Sequence, residues 1–112
     1  MAKLIINNNW KNNETKDLFK AILELKSTDE VTNFFRDLMT EPEIIEFGKR
    51  WKAAQMLEQG KSYMQIVKET GLSSTTVARV SKWLNNGMNG YKLILSRIDH
   101  HHNHSDTLMG GD

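Results

Sequence analysis

No cysteine occurs in the chain, which excludes a disulfide framework and a thiolate zinc site and suits a reducing compartment. Histidine is missing from residues 1–99 and confined to His100, His101, His102 and His104, so the expected folded body has no imidazole for acid–base chemistry. The lysines and carboxylates that remain form no pattern that builds a cleft, and no enzymatic activity is expected. No apolar run approaches the roughly 18 residues of a membrane span, and the apolar start Met1–Ile6 is too short for a signal peptide. These absences predict a soluble, cytoplasmic protein. Proline is nearly absent as well. Pro42 alone interrupts the chain, and neither a β-hairpin signal nor an internal repeat appears.

What is present fits one domain. A chain of 112 residues with 38% hydrophobic residues builds a real but small core, and oligomerisation would help its stability. Net charge is only +1, yet its distribution is uneven. From Glu14 to Phe47 nine acids face four bases; from Lys49 to Lys92 eight bases face two acids. A basic segment is what phosphate neutralisation needs, although an ordinary solvated surface accounts for it equally well.

The ends read as loose. Asn7, Asn8, Asn9, Asn12 and Asn13 surround Trp10, and the histidines precede Gly110 and Gly111. A flexible arm is expected over residues 1–13, a helical domain over 14–98 and a disordered tail over 99–112. Imidazoles suit zinc, nickel or copper, but a mobile tail offers no preformed geometry, so no metal or cofactor is expected.

Between the ends the pattern is helical. Leu18, Ile22 and Leu25 recur at helical spacing and predict a helix from about Glu14 to Lys26. Ser27 with Glu30, and Thr40 with Glu43, are capping-box signals, and Pro42 falls in a first turn where its missing N–H is harmless. The second helix carries Val31, Phe34, Phe35 and Leu38. The third runs to about Gln59 with Ile44, Phe47, Trp51 and Ala54 on one stripe, and Gly60 is its expected C-cap. The acids Glu41, Glu43 and Glu46 suit its dipole better than they suit paired catalysis.

Residues 62–84 carry the functional signal. A short amphipathic stretch from Ser62 to Glu69 is broken at Thr70-Gly71-Leu72, and helical spacing resumes from Ser73 to Leu84. Two helices joined by a short glycine-containing turn form a helix-turn-helix. Ile66, Val67, Leu72, Val77 and Val80 are the inward positions. Ser74, Thr75, Ala78, Arg79 and Lys82 are left for the outer face. Hydroxyls reach base edges or phosphates, and Arg and Lys neutralise phosphate or read guanine. The candidate DNA-binding residues are Lys61, Ser62, Lys68, Ser73, Ser74, Thr75, Thr76, Arg79 and Lys82. A plain helical hairpin with Ser73 as a cap is the alternative, and the side Tyr63 and Met64 face is left open.

The stretch from Leu38 to Leu84 contains Met39-Thr40-Glu41-Pro42-Glu43, Phe47-Gly48-Lys49-Arg50, Leu57-Glu58-Gln59-Gly60-Lys61-Ser62 and Glu69-Thr70-Gly71-Leu72-Ser73-Ser74-Thr75-Thr76-Val77-Ala78-Arg79. It resembles the Trp repressor family, specifically its small YerC/YecD-like group. The resemblance implies an all-α fold of about six helices and an intertwined homodimer whose two heads enter successive major grooves of double-stranded DNA. Phe34, Phe35, Leu38 and the Ile44/Trp51 stripe then pack between subunits as well as within one.

The family's founding member holds tryptophan as corepressor between two arginines. The resemblance places an effector pocket at Thr40, Arg50, Arg79, Val80 and Trp83. Val80 stands where that member has a glycine against the ring, and Trp83 where it has a serine. Both add bulk, so tryptophan is not expected as ligand.

The resulting expectation is a sequence-specific, repressor-like transcriptional regulator. The alternatives are a module that docks a transcription or replication component without reading DNA, and the targeting domain of a replication or transposition protein.

Overall fold

A computed structural model of the chain describes residues 9–99. Every regular element among them is helical: α1 Asn13–Ile22, α2 Thr28–Leu38, α3 Glu41–Glu58, α4 Tyr63–Thr70, α5 Ser74–Asn86, and α6 over residues 90–99. The expected all-α class and six helices are both present. No described helix is long and apolar enough to cross a membrane. The chain falls into two compact units that divide between Ile44 and Ile45, inside α3.

In the first unit, side-chain caps set the helix starts. Asn12 opens α1: its Oδ1 accepts from the Thr15 N–H at 2.9 Å, and its own N–H donates to Thr15 Oγ1 at 3.1 Å. The Trp10 ring meets Phe19 edge-on, with centroids 6.5 Å apart. The apolar spacing predicts α1 as far as Lys26, but the helix stops at Ile22. Glu30 explains the early end. Its carboxylate accepts the Lys26 N–H at 2.8 Å, the donor that a longer α1 directs to Ile22. The bonds before it tighten to i→i−3, with Glu24 N–H on the Ala21 carbonyl and Leu25 N–H on that of Ile22. The predicted Ser27 box is therefore half formed. Ser27 Oγ accepts the Glu30 N–H at 3.1 Å, while the return bond goes to Lys26.

The second box is complete. Thr40 Oγ1 accepts the Glu43 N–H at 3.3 Å, and the Thr40 N–H donates to Glu43 Oε1 at 2.9 Å. Two bonds to the carboxylate, from the Thr40 backbone N–H first and from the Thr40 hydroxyl, which donates to Glu43 Oε1 at 3.0 Å, second, hold the Glu43 carboxyl below its ordinary value. A lowered folded pKa means stability that is present above the ordinary glutamate range and lost as pH falls through the folded value. Helix content followed by circular dichroism should drop more steeply on acidification in the wild type than in Glu43→Gln, and equal slopes would contradict it.

In the second unit, α3 ends in a Schellman motif. Gly60 adopts φ +82°, its N–H donates to the Leu57 carbonyl at 3.0 Å, and the Lys61 N–H reaches that of Met56 at 3.0 Å. The core gathers Ala53, Ala54, Met56, Ile66, Leu72, Val77 and Val80, with Trp51, Leu57, Val67 and Tyr91 at its edge. The predicted α3 stripe is only partly inward. Ala54 is buried, Ile44 and Trp51 are half-buried, and Phe47 is exposed. The side that packs is the small one, where Ala53 and Ala54 have no exposed surface and allow close approach of neighbouring backbone. Lys92 Nζ meets Glu58 Oε1 at 3.2 Å and Trp51 lies against Tyr91 at 6.1 Å, which ties α6 to α3.

Candidate nucleic-acid interface

The candidate interface comprises α4, α5 and the three residues between them. Ser62 caps α4, its Oγ accepting the Gln65 N–H at 3.1 Å. Gly71 ends α4 at φ +78°, a left-handed conformation that side chains resist, and donates its N–H to the Val67 carbonyl at 2.9 Å. Ser73 caps α5, its Oγ accepting the Thr76 N–H at 3.1 Å. The turn is pinned from inside by Thr70, which is 8% exposed. Its hydroxyl donates to the Ile66 carbonyl at 2.7 Å and accepts the Leu72 N–H at 3.1 Å.

By spacing alone, Thr70 is only part of the break between the two helices. The signal available was its chemistry, since a hydroxyl directly before a left-handed glycine can bond both back into the helix and forward into the turn. Thr70→Val keeps the shape but strands the Leu72 N–H. It should destabilise the protein by about 1–3 kcal/mol in urea unfolding, and a loss below ~0.3 kcal/mol would show that the turn does not depend on this hydroxyl.

Ile66, Leu72, Val77, Val80 and Leu84 are buried, and Val67 is half-buried. α5 therefore turns Ser74, Thr75, Ala78, Arg79 and Lys82 outward, all exposed. The candidate residues divide into two groups. Ser62, Ser73 and Thr76 use their hydroxyls in caps, with Ser73 Oγ donating to Thr76 Oγ1 at 3.0 Å, and Thr76 is half-buried. Lys61, Lys68, Ser74, Thr75, Arg79 and Lys82 are exposed, and their side chains have no partner among the described residues. No acidic residue lies in α5. The carboxylate beside it in sequence, Glu69, is held by Gln65 Nε2 at 3.0 Å. On α5 the result is an outward face of hydroxyls and cations, Ser74, Thr75, Arg79 and Lys82, with no acid on the helix. Tyr63 and Met64, at the start of α4, are exposed.

The effector-pocket residues lie in different surroundings. Thr40 is engaged with Glu43. Arg50 reaches Glu46 at 3.4 Å and lies over the Phe47 ring at 5.3 Å, with Nε buried and without a hydrogen bond. Val80 has no accessible surface, so it lines no space within this chain large enough for water. Arg79 is exposed, and Trp83 is 43% exposed. The histidine run falls outside the described residues, as does the arm through Asn8; among the described residues no cluster of histidines and carboxylates could hold a metal.

Comparison with known proteins extends this picture. The family model described as Trp repressor protein matches residues 13–99. An uncharacterized protein, YerC of Bacillus subtilis, is 41% identical over 85 residues, which span 76% of this chain and 82% of YerC. A crystal structure of a TrpR-like protein from Eubacterium eligens superposes with a TM-score of 0.78 at 39% identity, covering 83% of this chain and 96% of that one. A candidate Trp repressor from Staphylococcus aureus gives a TM-score of 0.75 at 37% identity, over 80% of this chain and 89% of the other.

Proposed function

Because the chain belongs to the Trp repressor family, we propose that it is a sequence-specific, repressor-like transcriptional regulator that binds duplex DNA as a homodimer through α4 and α5. One observation carries the reading: the outer face of α5 presents Ser74, Thr75, Arg79 and Lys82 to solvent, with no acid on the helix and no side-chain partner for any of the four among the described residues. Phosphate and base contacts need free donors on a helix that can enter a groove. In this reading Lys61, Ser62 and Lys68 touch phosphates, and Ser73 to Thr76, Arg79 and Lys82 lie along the groove.

The dimer is supported by uncovered apolar surface. Neither α1 nor α2 contains a buried residue, and Phe19, Val31, Leu38, Ile45, Phe47 and Ile98 are exposed. A second copy of the chain is the occupant that the family fold implies. Sedimentation equilibrium should give about twice the 12.9 kDa chain mass.

Retention on fragmented genomic DNA tests the main reading. The wild type should enrich discrete fragments, and Lys82→Glu should abolish enrichment while leaving the mass unchanged. Recovery of a stoichiometric protein partner with no DNA would instead favour docking through the acidic stretch from Glu14 to Phe47. We also propose that DNA binding needs no tryptophan. Three observations support this: Val80 is fully buried, Thr40 is engaged by Glu43, and on the resemblance Trp83 replaces a small serine beside the family's ligand. Calorimetry should detect no specific micromolar binding of free tryptophan, and such binding would overturn this part of the proposal.

A further inference from the structure

We propose that α5 reads a half-site built on one guanine and adjacent thymine methyl groups, with Arg79 contacting the guanine and Thr75 and Ala78 contacting the methyls. This rests on the reading that α5 enters the major groove.

Helical spacing puts Thr75, Ala78 and Arg79 on one stripe, since Ala78 and Arg79 lie three and four residues beyond Thr75. All three are exposed. The major groove offers each base a different partner: an arginine fork for guanine O6 and N7, a side-chain amide for adenine, a carboxylate for the cytosine amine, and an apolar group for the thymine methyl. The outward stripe of α5 holds the first and the last of these only. No acid lies on the helix. Its only amides are Asn85 and Asn86 at the C-terminal end, away from the turn that leads into a groove, and Asn85 Nδ2 already donates to the Ser81 carbonyl at 2.9 Å.

Arg79 is free to make such a contact. Arg36 and Arg50 reach Glu41 and Glu46 at 3.2 and 3.4 Å, whereas the Arg79 guanidinium has no partner among the described residues. Thr75 and Ala78, both exposed, carry the methyl groups beside it on this stripe. Lys82 lies one turn further along, where a flexible point charge suits phosphate better than a base edge.

Selection from randomised duplex at constant salt tests the assignment. Wild-type protein should select a half-site containing an invariant guanine beside thymine. Arg79→Gln should move that one position from guanine to adenine, because glutamine pairs with adenine N6 and N7, and leave the rest of the site intact. Arg79→Ala should bind the selected site about ten- to a hundredfold more weakly and lose preference at that position alone. Replacing the selected thymine by deoxyuridine should weaken wild-type binding several-fold and leave Thr75→Ser, which lacks the methyl, less affected. A wild type that selects no sequence from duplex defeats the premise. A selected site that lacks guanine, or that keeps the same guanine in Arg79→Gln, defeats this inference and leaves the premise standing. Circular dichroism of each variant confirms that the helices are formed.

Discussion

Replacing Ile66 by alanine is expected to destabilise the protein by about 2–5 kcal/mol, and replacing it by valine by about 0.5–1.5 kcal/mol. Ile66 has no exposed surface and sits in one cluster with Ala53, Ala54, Leu72, Val77 and Val80. Truncation to alanine removes three carbons from this cluster and leaves a cavity. The surroundings are poorly placed to collapse into it. Ala53 and Ala54 cannot extend, and the backbone at Leu72 is fixed by Thr70 and by the left-handed Gly71. Whole-domain stabilities are of order 5–15 kcal/mol, so the alanine variant should be marginal while the valine variant folds. Urea unfolding at fixed protomer concentration measures both, since the proposed dimerisation would make stability depend on concentration. Equal small losses would mean that the site is loosely packed and that α4 and α5 are held together elsewhere.

Most of this fold is legible in the sequence because its helix boundaries are written in local chemistry. Ser62, Ser73 and Thr40 announce helix starts through hydroxyls that bond a backbone N–H three residues on, and Gly60 and Gly71 announce stops through positive φ. Such signals need only a few consecutive residues. The inward positions of the helix-turn-helix follow from the same spacing, and Ile66, Leu72, Val77 and Val80 are buried accordingly.

The misread elements depend on competition or on distance. The end of α1 is decided by a carboxylate eight residues beyond Ile22. Glu30 takes the Lys26 N–H, and no periodicity in Leu18, Ile22 and Leu25 reveals that contest. α3 is ambiguous for another reason. Apolar residues lie all around it, from Ile44 and Ile45 through Phe47 and Trp51 to Met56, and a helix without a single polar face does not declare which side is inward. The packed side carries Ala53 and Ala54 beside Met56, so the buried alanine Ala53 escapes a search for bulky stripes. The candidate site shows the same division. That α5 has an outward polar face is legible; that Ser73 donates its hydroxyl to Thr76 while Ser74 and Thr75 have no side-chain partner among the described residues is visible only in the folded structure.

Raising salt from 50 to 200 mM should weaken duplex binding by about a thousandfold or more. Each phosphate neutralised on duplex DNA contributes about 0.9 to the slope of log affinity against log salt, and six to ten contacts correspond to losses of about 10³–10⁵ over that range. Lys61, Lys68 and Lys82 are exposed and their side chains have no partner among the described residues, so the proposed dimer would bring about six such cations and reach the lower end of that contact number without Arg79. The net charge of +1 does not oppose this. The acids concentrate before Phe47, and the stretch from Lys49 to Lys92 that contains α4 and α5 is basic on balance. Lys82→Ala removes one contact per protomer and should lower the slope by about 1.8 in a dimer, reducing affinity for all sequences alike. A substitution at Arg79 should instead act mainly at one base pair. The two variants therefore separate charge from readout on a single helix. A salt slope near zero in the wild type, or one unchanged by Lys82→Ala, would remove α5 from the phosphate backbone and move the weight to the docking alternative.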